Sequence, residues 1–266
     1  MSKLQDTARS LLDAGEVKVA IGYGEGSVGR VRPLFVTDAA GAQGLIYDGR
    51  CTQNLAVYTY KKETAAMGKP AVTAGVATMR ALMRLVAERQ LREGDFIALA
   101  VVGDEVTVCR TLSEMENWLA AAAPKPREAD MEMIARIEAM TPAERWAFWR
   151  GEMDRCFRCY ACRQACPLCY CTQCTVEVNQ PQWIPVGATV QGNLEWHAMR
   201  AMHLAGRCIE CGQCGDACPV DIPIHLLTVK LAADVRNVYG AATGMARDET
   251  CAMSIFKPDD RENFIG

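Results

Sequence analysis

The stretch CFRCYACRQACP at residues 156–167 determines the class of the C-terminal half, and CIECGQCGDACP at residues 208–219 repeats its spacing. This spacing is typical of bacterial ferredoxins, in which three cysteines of one run bind one 4Fe–4S cluster and the fourth binds the other cluster. The repeat therefore predicts two clusters. Their expected ligands are Cys156, Cys159, Cys162 and Cys218 for cluster 1, and Cys208, Cys211, Cys214 and Cys166 for cluster 2.

Zinc and disulfides are the alternative interpretations of so many cysteines. Zinc sites usually take two cysteines from each of two places, whereas here four come together with a proline, and the pattern occurs twice. No apolar segment typical of a secretion signal follows Met1, so we expect a cytoplasmic protein whose thiols stay reduced. Iron–sulfur chemistry is thus favoured over both alternatives.

Three further cysteines, Cys169, Cys171 and Cys174, lie between the two runs. They could hold a third 4Fe–4S cluster, bind zinc, or remain free thiols for a partner, and the third cluster is favoured. A third cluster needs a fourth ligand, and the cysteines left over are Cys51, Cys109 and Cys251. Cys51 is the favoured one, because it precedes a predicted helix whose N-terminus would stabilise a thiolate.

The bulk composition excludes some classes of protein. A chain of 266 residues is long enough for two domains. The formal net charge of -3 argues against a nucleic-acid-binding protein. The longest apolar run, residues 96–102, is too short to span a membrane and is typical of a buried strand.

The pattern along the chain predicts an α/β N-terminal domain followed by an α+β bacterial-ferredoxin-like dicluster domain with helical additions. Residues 1–124 alternate between helical and strand patterns, which favours a largely parallel sheet. Prolines at 124 and 126 mark the end of this domain. We expect linking helices at 125–150, the iron–sulfur domain at 151–240, and a tail at 241–266 that docks on a partner or on the chain itself.

A glycine-rich loop in the N-terminal half is the other candidate site. Gly24, Gly26 and Gly29 have the spacing of a dinucleotide-binding fingerprint, but no helix is predicted after them. A plain loop between strands is therefore favoured, although Arg30 and Arg32 could still bind a flavin or a phosphate. The spacing of His197 and His203 puts them on different helix faces, which favours packing or solvent exposure for both.

The chain resembles the beta-subunit family of deazaflavin-reducing hydrogenases and formate dehydrogenases. The stretches that carry the resemblance are RCYACR at 158–163, CPLCYC at 166–171, HLAGRC at 203–208 and, in the N-terminal half, Cys51-x-x-Asn54-Leu55 and the block from Arg80-Ala81-Leu82 to Arg92-Glu93. The resemblance implies a subunit of a multi-subunit redox complex of the formate dehydrogenase, hydrogenase or heterodisulfide-reductase-like kind. It also implies an N-terminal domain that binds flavin in some members. The chain departs from the family pattern at Val76-Ala77-Thr78 and at Gly103-Asp104.

These departures favour an electron-transfer subunit that passes single electrons between a catalytic subunit and a flavin-containing partner. One alternative is a subunit that itself holds FAD and reduces a soluble nicotinamide- or deazaflavin-type cofactor. Another is a zinc-bearing scaffold protein. No grouping typical of nucleophilic catalysis stands out in the sequence. The weakened family pattern in the N-terminal half favours non-catalytic electron transfer over an enzyme.

Overall fold

The computed structural model describes residues 2–177, 181–240, 242–255 and 258. The N-terminal half is built on a five-stranded sheet with the order β2-β1-β3-β4-β5. Its central strands β1, β3 and β4 are parallel, and the two edge strands are antiparallel. The strands are β1 (Val19–Glu25), β2 (Val31–Val36), β3 (Pro70–Ala74), β4 (Ile97–Val102) and β5 (Glu105–Cys109).

Helices cover the sheet and begin where the sequence provides capping residues. Ser2 and Thr111 form capping boxes at the starts of the first and fourth helices, which satisfies backbone N–H groups that the helices leave unpaired. The helices of this half are α1 (Lys3–Asp13), α2 (Lys62–Met67), α3 (Val76–Ala87) and α4 (Leu112–Ala122). With the sheet, they confirm a mixed α/β fold.

The helix that the sequence predicts after Cys51, over residues 53–66, does not form as one element, so this prediction is wrong. The chain instead forms a 3-10 turn at Leu55–Tyr58 and the short helix α2. The side chain of Asn54 accepts a hydrogen bond from the N–H of Ala56 and starts the turn. The β-branched and aromatic residues that follow favour helix weakly, and packing against α3 and β3 decides their conformation.

The glycine-rich loop is a β-hairpin. Strand β1 runs on to Glu25 and β2 begins at Val31, with a 3-10 turn at Ser27–Gly29 between them. No helix N-terminus therefore follows the glycines to hold a pyrophosphate. The plain loop favoured by the sequence is confirmed.

The C-terminal half is a set of helices around the cysteine runs. They are α5 (Glu128–Glu138), α6 (Pro142–Asp154), α7 (Ala161–Gln164), α8 (Val190–His203), α9 (Gln213–Asp216) and α10 (His225–Tyr239). Helix α8, between the two cysteine runs, packs against α6 and α10. Of the helices in the described part of the chain, none has the length and apolar character to cross a bilayer.

The two halves share one hydrophobic core and a set of buried ion pairs. Leu168, Leu204 and Ile209 of the cysteine half belong to the same buried cluster as α3 and α4. Glu88, just past α3, accepts two hydrogen bonds of 2.6 Å from the guanidinium of Arg207. These contacts join the N-terminal half to the cysteine loops.

The described part of the tail packs on its own chain. Arg84 of α3 forms an ion pair of 3.2 Å with Glu249, and Arg247 forms one of 2.6 Å with Glu116 of α4. Phe256 and Phe264, the two phenylalanines of the predicted docking tail, lie outside the described residues.

Candidate iron–sulfur centre

The two cysteine runs have the same backbone conformation. The second residue after the first cysteine is left-handed in both, with φ of 56° at Arg158 and 60° at Glu210. Two residues further on, Tyr160 and Gly212 are also left-handed, with φ of 61° and 73°. A one-turn helix then follows each run, α7 in the first and α9 in the second. The sequence repeat is therefore also a conformational repeat.

The first predicted set of cysteines lines one enclosed cavity. Cys156, Cys159 and Cys162 of the first run meet Cys218 of the second run there. Hydrophobic side chains, among them Trp196 and Ile222, complete the walls. The four cysteines could each bind one iron of a cluster, as the exchange of the fourth cysteine between runs predicts.

The second predicted set lines another cavity. Cys208, Cys211 and Cys214 meet Cys166 of the first run. The N-terminal half contributes to this set, because the backbone N–H of Asn54 donates to Oε1 of Gln213, the residue before Cys214, over 2.8 Å. In the stretch Cys51-x-x-Asn54, which carries part of the sequence resemblance, it is Asn54 and not Cys51 that contacts this site.

Burial disfavours the ionised form of these thiols when no metal is bound. It raises the pKa of Cys162 and of Cys208 to about 12 and the pKa of Cys211 to about 11. Thiols of this kind ligate only when the charge of a bound metal stabilises the thiolate. Two guanidinium nitrogens beside the cavities, Nη2 of Arg158 and Nε of Arg200, are buried and have no hydrogen-bond partner among the described residues. An anionic cluster fits both observations.

Histidine and asparagine side chains of α8 fix the backbone around Cys156. Nε2 of His197 lies 3.5 Å from Sγ of Cys156. Burial, together with Arg200 and Arg158, lowers the pKa of His197 to about 3, so its imidazole is neutral. Nδ2 of Asn193 donates to the carbonyl oxygen of Cys156 over 2.6 Å.

The three extra cysteines line a third cavity together. Cys169, Cys171 and Cys174 share it with His203 and with three arginines, Arg163, Arg200 and Arg207. Leu168, Arg200 and Leu204 line both this cavity and the second one, so the second and third sets adjoin. The neighbouring thiol of Cys166 and the charge of Arg200 lower the pKa of Cys169.

The structure does not bring Cys51 to this cavity. Its Sγ accepts a hydrogen bond of 3.4 Å from the N–H of Asp48, and the side chain packs with Ile46, Tyr47 and Tyr58 beside the sheet. The loop is held there because Arg50 forms ion pairs with both Asp48 and Glu25. The other unassigned cysteines are also elsewhere: Cys109 is buried at the end of β5, and Sγ of Cys251 faces the carbonyl of Ala205 at 3.8 Å.

Helix α8 runs past all three cavities, which the sequence did not indicate. Trp196 lines the first and third cavities, and Arg200 lines the second and third. Arg200 is 5% exposed, and Nη2 donates to the carbonyl oxygen of Cys162 over 3.0 Å. Burial lowers the pKa of Arg200, but the neighbouring cysteines Cys169, Cys214, Cys166 and Cys162 outweigh it and raise the pKa, so the guanidinium stays charged. Helical spacing is the sequence signal that could have revealed this arrangement, since residues 196, 200 and 203 fall on one helix face.

The cysteine sets suit clusters better than single ions. Over the part of the chain that the structure describes, no three Cys, His, Asp or Glu side chains converge closely enough for one metal ion. A zinc site requires such convergence, whereas the ligands of a cluster bind different irons and stand further apart.

The predicted flavin or phosphate residues are separated in the structure. Arg30 lines an open groove with Tyr23, Arg50 and Gln213, and Arg32 is exposed on β2 outside that groove. A large apolar groove between α5, α6, α8 and α10 contains no cysteine and borders the first cavity through His197.

Residues 155–223 match the family model of the 4Fe–4S dicluster domain, which defines the class of this half as an iron–sulfur protein. The chain is 35% identical over 97 residues to the F420-dependent formate dehydrogenase subunit beta of Methanocaldococcus jannaschii, covering 36% of this chain and 25% of the relative. It is 25% identical over 147 residues to the F420-dependent formate dehydrogenase 1 subunit beta of Methanococcus maripaludis, covering 50% of this chain and 37% of the relative.

The resemblance to the beta-subunit family of formate dehydrogenases is confirmed over this part of the chain. The matches span a quarter and just over a third of the length of these two relatives.

Proposed function

We propose that this chain is the electron-transfer subunit of a multi-subunit oxidoreductase of the formate dehydrogenase kind, and that it relays single electrons between a catalytic subunit and a flavin-containing partner. The observation that carries the proposal is the row of three adjoining cysteine-lined cavities along α8. The names of the relatives, both formate dehydrogenase beta subunits, support the kind of complex.

In this proposal the chain holds three 4Fe–4S clusters, two on the ferredoxin-type sets and a third on Cys169, Cys171 and Cys174. When bound, such clusters take up and release one electron at a time. The protein's part is to hold the clusters close together, exclude water and set their potentials. Cys162 and Cys214 belong to one hydrophobic cluster and join the first two sets.

The exposure of the cysteines suggests the two ends of the relay. Cys159 of the first set and Cys171 of the third set are exposed. The second set contains no exposed cysteine. Electrons would therefore enter and leave at the first and third sets, through partners that dock beside these two residues, while the second set connects them. The cysteine chemistry also fits a reducing compartment such as the cytoplasm.

The test uses the complex purified with its partners under anaerobic conditions. Cys211→Ala removes a ligand of the second set, so we expect the loss of one cluster signal by EPR. Formate oxidation with a redox dye that accepts electrons at the catalytic subunit should continue, and reduction of the flavin partner should stop. Cys109→Ala, at the end of β5, is the matched control. Continued flavin reduction in the Cys211→Ala complex would contradict the proposed relay.

A second candidate function is a subunit that itself holds FAD and reduces a soluble cofactor. The open groove beside Arg30 favours it, because Gln213 of the second cysteine run forms part of the same wall. Acid precipitation of the isolated chain distinguishes the two: released flavin in an equimolar amount supports the FAD-containing subunit, and its absence supports the relay.

A further inference from the structure

The third cavity has three cysteines where the other two have four. Its cysteines are Cys169, Cys171 and Cys174. A 4Fe–4S cluster has four irons, and three cysteines leave one of them without a protein ligand. The fourth ligand must come from another side chain at this cavity or from solvent.

The remaining cysteines do not supply it. Cys51, Cys109 and Cys251 are all absent from the walls of this cavity, each held by the contacts given above. No described carboxylate lines the cavity either. The nearest in sequence, Glu177, forms an ion pair of 3.1 Å with Arg163.

One further side chain on the wall of the cavity has a ligating atom, and it is the imidazole of His203. His203 is the last residue of α8, three residues after Arg200 on the same helix face. Its side chain is exposed and makes no hydrogen bond or ion pair with any of the described residues. By contrast, His197 faces Cys156 and His225 faces Asp130 at 3.1 Å. His203 is thus the histidine whose nitrogens are available.

We propose that His203 is the fourth protein ligand of the cluster held by Cys169, Cys171 and Cys174. The inference rests on the third cluster of the proposed function. A neutral imidazole in place of a thiolate removes one negative charge, and histidine ligands raise the potential of an iron–sulfur centre. The positive charges of Arg163, Arg200 and Arg207 act in the same direction. The third cluster therefore has the highest potential of the three and lies at an exposed end of the relay.

The test is pulsed EPR on the reconstituted full chain with 15N-labelled histidine. The sample is poised at a potential where only the highest-potential cluster is reduced. We expect a strong hyperfine coupling to a directly bound histidine nitrogen. His203→Cys should abolish this coupling, keep the iron content of the wild-type chain and lower the potential of that cluster. His203→Ala should abolish the coupling and lower the iron content. Cys51→Ser is the control and should leave the spectrum and the iron content unchanged.

The outcomes separate this inference from the relay itself. Three clusters without any bound-histidine coupling would refute the role of His203 and leave the relay intact. A coupling that survives in His203→Cys, or a loss of iron in Cys51→Ser, would also refute it. An iron content that corresponds to two clusters, with or without zinc at the third set, would refute both the third cluster and its histidine ligand.

Discussion

Substitution of Arg200 tests most strongly how this chain would set the reduction potentials of the proposed clusters. Its guanidinium is 5% exposed and lines both the second and the third cavity. The groups that surround it are thiols rather than carboxylates, so its charge is available to stabilise a reduced cluster. Arg200→Met removes the charge while keeping much of the side-chain volume.

The size of the effect follows from Coulomb's law. A unit charge roughly 8 Å from a cluster centre, at an effective dielectric constant of about 20, contributes about 2 kcal/mol. For a one-electron couple about 1.4 kcal/mol corresponds to about 59 mV, so Arg200→Met should lower the potentials of the second and third clusters by about 90 mV each. The first cluster should shift less, since Arg200 lines the second and third cavities and not the first.

The assay is an anaerobic redox titration followed by EPR. Arg200→Lys keeps the charge and should restore most of the potential, which separates charge from packing. Arg155→Met is the matched control, because Arg155 is adjacent to Cys156 but its side chain is 46% exposed and paired with Glu152. The control should shift any potential by less than about 20 mV, since solvent screens an exposed pair. Equal shifts in Arg200→Met and Arg155→Met would refute the assigned role of Arg200.

Two further predictions concern the contacts between the halves. Glu88→Gln leaves the guanidinium of Arg207 without its buried partner and should lower the free energy of unfolding by about 3 kcal/mol. The control is Glu138→Gln, which breaks the exposed pair with Lys230 and should change the free energy of unfolding by less than about 0.5 kcal/mol. Burial opposes ionisation of Glu88, but its arginine partners outweigh burial and lower the pKa. The carboxylate of Glu88 therefore stabilises the fold fully above the ordinary glutamate pKa of about 4.3. This stabilisation is lost as the pH falls through the lowered pKa of Glu88 in the folded protein. Chemical denaturation followed by circular dichroism should show that the difference in the free energy of unfolding between wild type and Glu88→Gln shrinks in acid. A difference that does not depend on pH would contradict this. Asn54→Ala removes the amide that stabilises the ionised form of Cys211, an interaction worth about 1 kcal/mol, and should lower the potential of the second cluster by up to about 40 mV in the redox titration. A change confined to another cluster would contradict this role of Asn54.

The cysteine pattern predicted much of the candidate site because its spacing determines local geometry. Two C-x2-C-x2-C-x3-C-P runs imply loops that exchange their fourth cysteines, and the structure brings those cysteines together as the pattern requires. The alternation of strand and helix patterns likewise predicted the mixed α/β half, and the apolar run at residues 96–102 coincides with β4. Both signals are local and periodic.

Features that depend on packing between distant segments could not be predicted. Arg200 looks like any helical arginine in the sequence, and its burial among thiols follows only from the path of α8. Cys51 was favoured as a ligand from a helix start that does not form, whereas its neighbour Asn54 makes the contact with the cysteine loops. His203 was assigned to packing or solvent, because nothing in the local sequence places it beside Cys169.

The N-terminal half contributes to the candidate site through its contacts with the cysteine loops. The backbone N–H of Asn54 donates to Gln213 of the second cysteine run, and Glu88 holds Arg207 at the wall of the third cavity. The buried pair of Arg80 and Glu210, at 3.5 Å, fixes a left-handed residue of the second run. The sheet and α3 thus position the loops that would hold the clusters.

The most direct test of the central claim is the metal content of the anaerobically isolated chain. We predict about 12 iron and about 12 acid-labile sulfide per chain, corresponding to three 4Fe–4S clusters, with no stoichiometric zinc. An iron and sulfide content near eight of each would remove the third cluster from the relay. Stoichiometric zinc with neither iron nor sulfide would contradict the electron-transfer function altogether.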